Sequence, residues 1–204
     1  MLPTANSQLP APMTWIKICG LSTREAVSAA VDAGADAVGF VFAESKRRVT
    51  PEHAAKISQQ VPEGVSRIAV LHHPTQTLVN ELCSVFQPDV LQTDAADLDT
   101  LQIPSGMSVL PVWRDGQSPS VLPKRMLYEG KVSGTGTTAD WRAAHALALK
   151  TEVVLAGGLN ARNVAEALAL VQPFGVDVSS GVESAPGVKD PRKIEEFIRA
   201  VRKQ

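Results

Sequence analysis

WIKICGLSTREAVSAAVDAGADAVGFVF (15–42) reads as a strand, a helix and a second strand. WIKIC (15–19) is a short apolar run, and a helical pattern from Thr23 to Asp32 stops at Gly34. DAVGFVF (36–42) is apolar at almost every position, as a strand buried on both faces must be. The same grammar continues along the chain. Thr50 and Pro51 give a cap and first turn for a helix to about Gln60. RIAVL (67–71) leads to a helix at about 75–86, and DVLQ (89–92) to a short, weak one. SVLPVW (108–113) precedes a segment with Pro119 and Pro123, where little regular helix is expected. RMLYEG (125–130), EVVLAG (152–157) and FGVDVS (174–179) complete the strands, with helices at about 140–149, 160–171 and 190–202.

Eight strands alternating with helices or their remnants imply a parallel α/β sheet. In about 190 residues they leave no room for a second domain, so the expected fold is a single-domain eight-stranded (β/α) barrel of TIM type and minimal size. An open doubly wound sheet would need a nucleotide signature. No G-x-G-x-x-G follows the first strand, and no G-x-x-x-x-G-K-[ST] occurs.

The 204 residues are 44% hydrophobic and 20% charged, with a net charge of −1, enough to bury the core of one domain. The near-neutral balance gives no footprint for nucleic acid or an anionic membrane. No apolar run approaches the roughly 20 residues of a membrane span. MLPTANSQLPAP (1–12) lacks the pattern of a secretory signal and is read as part of a flexible tail over 1–13, with the catalytic barrel over 14–204. Cys19 and Cys83 show neither metal-type spacing nor a disulfide framework, so the expectation is a cytoplasmic protein with both thiols reduced.

In such barrels the chemistry lies at the carboxyl ends of the strands. Lys17 and Cys19 share one face of the first strand and point into the barrel by the period of two. A thiol there is a general base if a nearby positive charge favours its thiolate, or else a small buried hydrophobe. Cys83, in an amphipathic helix pattern, takes the second reading. Glu129 and Asp177 stand at the last inward positions of strands six and eight, as reactive carboxylates or as ion-pair partners of Lys17. Ser45-Lys46-Arg47-Arg48 is an anion clamp or a solvated turn. Gly157-Gly158 and Ser179-Ser180-Gly181 offer backbone N–H groups to a phosphate, or else only make tight turns. His72 and His73 lack ligand-type companions in the sequence and are read as surface residues.

Lys17-Ile18-Cys19-Gly20, GADAVGFVF (34–42), Ser45-Lys46-Arg47, SGTG…ADW (133–141), Gly157-Gly158-Leu159 and DVSSGVE (177–183) together resemble the phosphoribosylanthranilate isomerase family of tryptophan biosynthesis. The resemblance covers about 16 to 202. It implies the Amadori rearrangement of N-(5-phosphoribosyl)anthranilate, with no cofactor and no metal. By position it makes Cys19 the general base and Glu129 the general acid, where the family usually has aspartate. It gives Arg47 the anthranilate carboxylate and sets Asp177 beside the sugar. The phosphate falls to Gly157, Gly158, Ser179, Ser180 and Gly181. The family's Q-L-H-G at the end of strand four is replaced by Gln92-Thr93-Asp94-Ala95. The nearest rival is the aminoaldose isomerase of the histidine pathway, with aspartates at the ends of strands one and five; Cys19 and Trp113 lie at or near those places here. The expected partner is a small phosphorylated substrate, with neither nucleic acid nor membrane, and monomer and homodimer both stay open.

Overall fold

In the computed structural model, which describes residues 13–117, 119–131 and 138–204, the chain begins with β1 (Trp15–Cys19), α1 (Arg24–Asp32), β2 (Ala37–Val41) and α2 (Pro51–Ile57). It continues through β3 (Ser66–Val70), α3 (Gln76–Val85), β4 (Val90–Asp94), β5 (Ser108–Arg114) and β6 (Arg125–Glu129). Then come α4 (Trp141–Ala148), β7 (Glu152–Leu155), α5 (Val164–Val171), β8 (Gly175–Val178), a hairpin of β9 (Glu183–Ala185) and β10 (Val188–Lys189), and α6 (Pro191–Arg202). β1 to β8 pair in parallel in chain order, and β8 pairs with β1 to close the barrel. Only a 3-10 turn, Ala95–Asp99, follows β4, and no helix follows β5 among the described residues. The tail 1–12 and Ser133 to Gly136 lie outside the described residues.

The helices start where the sequence supplies a side-chain acceptor. The hydroxyls of Thr23, Thr50 and Thr75 accept the backbone N–H groups of Ala26, His53 and Leu78. Asp140 and Asp190 do the same for α4 and α6, and Pro51 and Pro191 stand in the first turn of their helices. Each cap contributes about 1 kcal/mol by satisfying a donor that the helix itself leaves unpaired.

Strand alternation divides the core. Ile16, Ile18, Val38 and Phe40 face outward and pack with Val27, Ala30, Phe197 and Ile198 from the helices. Leu110, Val112, Leu127, Val154 and Ala156 form a smaller cluster of their own. Lys17 is fully buried and faces Asp177, its register partner on β8. Gly39 on β2 makes room for it: a Cβ there would sit 3.0 Å from Lys17 Cε. At the amino end, the Arg125 guanidinium lies 3.8 Å from the Phe174 ring centroid and pairs with Glu152 at 2.8 Å. Arg202 ties α6 to the same end through Thr14 O at 2.5 Å and Asp36 at 2.9 Å.

Candidate active site

β1 and β8 place three of the candidate side chains in one buried group. Lys17 Nζ donates to Asp177 Oδ1 at 2.9 Å, so the ion pair expected as one reading of Asp177 is formed. Burial is the largest single influence and works against the Lys17 charge, but Asp177 and Cys19 together outweigh it and leave the pKa raised. Cys19, two residues along β1, is buried beside it. Burial pushes its thiol above the ordinary cysteine range, and Asp177 adds to this, while Lys17 and Lys189 pull the other way. The positive charge expected near Cys19 is therefore present, yet desolvation wins and the resting group is a thiol.

Arg47, in the loop after β2, reaches the same wall. Its Nε and Nη2 donate to the two carboxylate oxygens of Glu183 at 2.6 and 2.9 Å, a bidentate pair. Glu183 also accepts from Lys189 Nζ at 2.8 Å and from the backbone N–H of Gly187 at 3.2 Å. Burial opposes its charge, but these donors dominate and hold its pKa at about 2. Lys189 donates further to Ser179 O at 2.8 Å and Ser179 Oγ at 3.2 Å, which fixes the turn after β8. The β9–β10 hairpin thus welds the β8 loop to the β2 loop. Gly20, with φ +77°, lets them meet: a Cβ there would sit 2.6 Å from Arg47 Cδ.

The two glycine loops expected to share a phosphate touch each other. A Cβ on Gly181 would stand 1.9 Å from Leu159 O, so only glycine fits where the β8 turn crosses the β7 loop. Gly157 and Gly158 both have positive φ, at 91° and 64°. Asn163 braces this loop, donating from Nδ2 to Gly158 O at 2.9 Å and accepting from Asn160 N at 2.8 Å.

A second charged group lies at the ends of β4, β5 and β6. Arg114 Nη1 donates to Asp94 Oδ1 at 2.6 Å, and its Nη2 stands 3.2 Å from Glu129 Oε1. Glu129 is thus paired with Arg114 here, the other partner than the Lys17 weighed from the sequence. Trp113 packs against the outer core, and the residue meeting the carboxylates at the end of β5 is Arg114. His72 and His73 are exposed as expected but not without companions: Asp94 lies 3.7 Å from each, and His73 Nδ1 is 2.7 Å from Asp97 Oδ1.

Sequence reading left several of these residues unused. Glu183 is only the last letter of a motif, and Lys189 and Asp97 belong to none, because their contacts arise in a hairpin and a 3-10 turn that no periodic pattern marks. Arg114 was legible in principle as the residue ending β5.

The model of a protein family described as N-(5'phosphoribosyl)anthranilate (PRA) isomerase matches residues 16–200. An N-(5'-phosphoribosyl)anthranilate isomerase of Streptococcus pneumoniae is 40% identical over 193 residues, covering 93% of this chain and 96% of that protein. The solved phosphoribosyl anthranilate isomerase of Thermus thermophilus superposes with a TM-score of 0.80 at 29% identity, covering 92% of this chain and 98% of that one. A phosphoribosyl anthranilate isomerase solved with reduced 1-(o-carboxyphenylamino)-1-deoxyribulose 5-phosphate gives 0.75 at 29% identity, over 94% of this chain and all of that one. With the strand-end motifs set in a closed eight-stranded parallel barrel, these matches show that the chain belongs to the phosphoribosylanthranilate isomerase family.

Proposed function

We propose that the chain catalyses the Amadori rearrangement of N-(5-phosphoribosyl)anthranilate to 1-(2-carboxyphenylamino)-1-deoxyribulose 5-phosphate in tryptophan biosynthesis. This is an aldose–ketose isomerisation, formally an intramolecular oxidoreduction, by a cytoplasmic enzyme acting as a monomer or homodimer. The observation that carries the reading is Cys19, buried at the inward end of β1 beside Lys17 and Asp177, on the same rim as Glu129 and the paired loops of β7 and β8.

Glu129, which acts in its protonated form, donates its proton to the furanose ring oxygen, the C1′–O bond breaks, and an iminium forms between C1′ and the anthranilate nitrogen. Arg114, 3.2 Å away, stabilises the carboxylate left behind. Once its thiol proton has passed to solvent, Cys19 takes the C2′ proton as the thiolate, and the C–H electrons neutralise the iminium to give an enolamine, which tautomerises to the ketone. The substrate's own cation, with Lys17, favours the thiolate that burial disfavours in the resting site. Asp177, held by Lys17, stands beside the sugar.

Arg47 binds the anthranilate carboxylate. Glu183 takes its Nε and one Nη2 proton, so the Nη1 edge of the fork carries donors toward a substrate. Gly157, Gly158, Ser179, Ser180 and Gly181 hold the phosphate through backbone N–H groups, where two glycine turns meet. The test is turnover of freshly generated phosphoribosylanthranilate, followed by loss of its fluorescence. Absence of turnover by the folded protein would overturn the assignment.

A further inference from the structure

At the ends of β3 and β4, outside the residues assigned to the reaction, His72, His73 and Asp94 bring three ligand atoms within 4.8 Å of one another. We propose that they form a site for one divalent transition-metal ion of the zinc type, bound by Nε2 of His72, Nε2 of His73 and Oδ2 of Asp94. Each of these nitrogens is 3.7 Å from Asp94 Oδ2. A tetrahedral zinc with bonds of about 2.0–2.1 Å sets its ligand atoms about 3.3 Å apart, so small rotations of two exposed rings complete the geometry. Two imidazoles and a carboxylate select zinc, copper, nickel or cobalt over magnesium and calcium, and leave a fourth position to water.

The backbone carries the second reason. Neighbouring side chains on an extended chain point opposite ways, so adjacent histidines do not ordinarily share a ligand. His73 has φ +47°, a left-handed conformation that non-glycine residues rarely adopt, and its ring centroid lies 4.1 Å from that of His72. Asp97 holds it there. Its Oδ2 accepts the His73 backbone N–H at 3.1 Å, and its Oδ1 faces the ring Nδ1 at 2.7 Å. Thr93 Oγ1 in turn donates to Asp97 Oδ2 at 2.5 Å. A carboxylate behind one imidazole nitrogen fixes the tautomer whose other nitrogen binds metal. Asp94 is braced likewise, its Oδ1 accepting from Arg114 while Oδ2 faces the histidines.

The experiment titrates the untagged, chelator-treated full chain with cobalt(II) and follows its visible absorption, then displaces the cobalt with zinc(II). One equivalent should bind with the spectrum of nitrogen and oxygen ligands. His72→Ala, His73→Ala and Asp94→Asn should each weaken it at least tenfold, and Asp97→Asn about 10- to 100-fold. His53→Ala should leave it unchanged. Both rim histidines are exposed, so their variants should fold, which circular dichroism checks. No stoichiometric binding, affinity indifferent to His72 and His73, or a sulfur-to-cobalt charge-transfer band placing the ion on Cys19 would each overturn the proposal.

Discussion

The rim has two walls of similar inventory and different physics. On the wall of β1, β2 and β8, Lys17 is wholly buried, Asp177 and Glu183 show 9% and 5% of their side chains, and every carboxylate–cation contact is between 2.6 and 2.9 Å. On the wall of β3 to β6, Asp94, Arg114 and Glu129 are 13–16% exposed, His73 is 62% exposed, and contacts reach 3.7 Å. The first wall fixes its charges by removing water, where a broken pair leaves an uncompensated buried ion. The second keeps its charges within reach of solvent, where groups change partners at lower cost. Under the proposed mechanism the difference would divide the labour, with phosphate and base on the buried wall and the proton donor on the more accessible one.

The largest expected effect tests the chemistry of both walls at once. Cys19→Ser should lower kcat by about 10²- to 10⁴-fold, the usual worth of a general base, since a hydroxyl is too weak an acid to supply the anion. Its thermal midpoint should stay close to that of the parent. Glu129→Gln should lose a similar factor with little change in substrate binding, and Glu129→Asp should retain partial activity. Should Glu129→Gln stay within a few-fold of the parent while Asp177→Asn is inactive, the acid lies on the buried wall and the division of labour is wrong.

Stability separates the walls next. Asp177→Asn leaves Lys17 charged and buried, at a cost of about 3–5 kcal/mol. Asp94→Asn removes a more accessible partner and should cost about 1 kcal/mol or less. Denaturant midpoints measure both, and equal losses would dissolve the contrast.

Arg47→Ala should raise KM for the anthranilate-bearing substrate by an amount equivalent to about 1.5–3 kcal/mol, that of a charge-assisted hydrogen bond. An unchanged KM would reduce Arg47 to the partner of Glu183. The smallest effect is in acid. Glu183 has a depressed folded-state pKa, so its contribution is complete above the ordinary carboxylate value of 4.5 and is lost as pH falls toward about 2. Denaturant midpoints between pH 6 and pH 3 should therefore fall less steeply in Glu183→Gln, which starts lower, than in the parent.

The contrast also explains what could be read in advance. Lys17 and Cys19 were placed inside the barrel by strand alternation alone, and Gly157-Gly158 and Ser179-Ser180-Gly181 by their position after strands seven and eight. Such residues are constrained by local backbone geometry, which leaves a pattern in neighbouring letters. Asp97 and His73 leave none. Asp97 sits in a 3-10 turn, and His73 reaches it only through a backbone of positive φ. The protonation of Cys19 was equally hidden, because a neighbouring lysine is visible in the sequence while the depth of burial is not.

By itself, then, the sequence determined the barrel, its strand order and the identity of the groups at the strand ends, since period-two and helical patterning act over a few residues. Tertiary structure alone decided which charges pair. Lys17 meets Asp177 across 160 residues and Arg47 meets Glu183 across 136, and Glu129 faces Arg114 rather than Lys17. Pairing depends on distance and desolvation in three dimensions, and both are set only when β8 closes on β1 and the hairpin after it packs against the β2 loop.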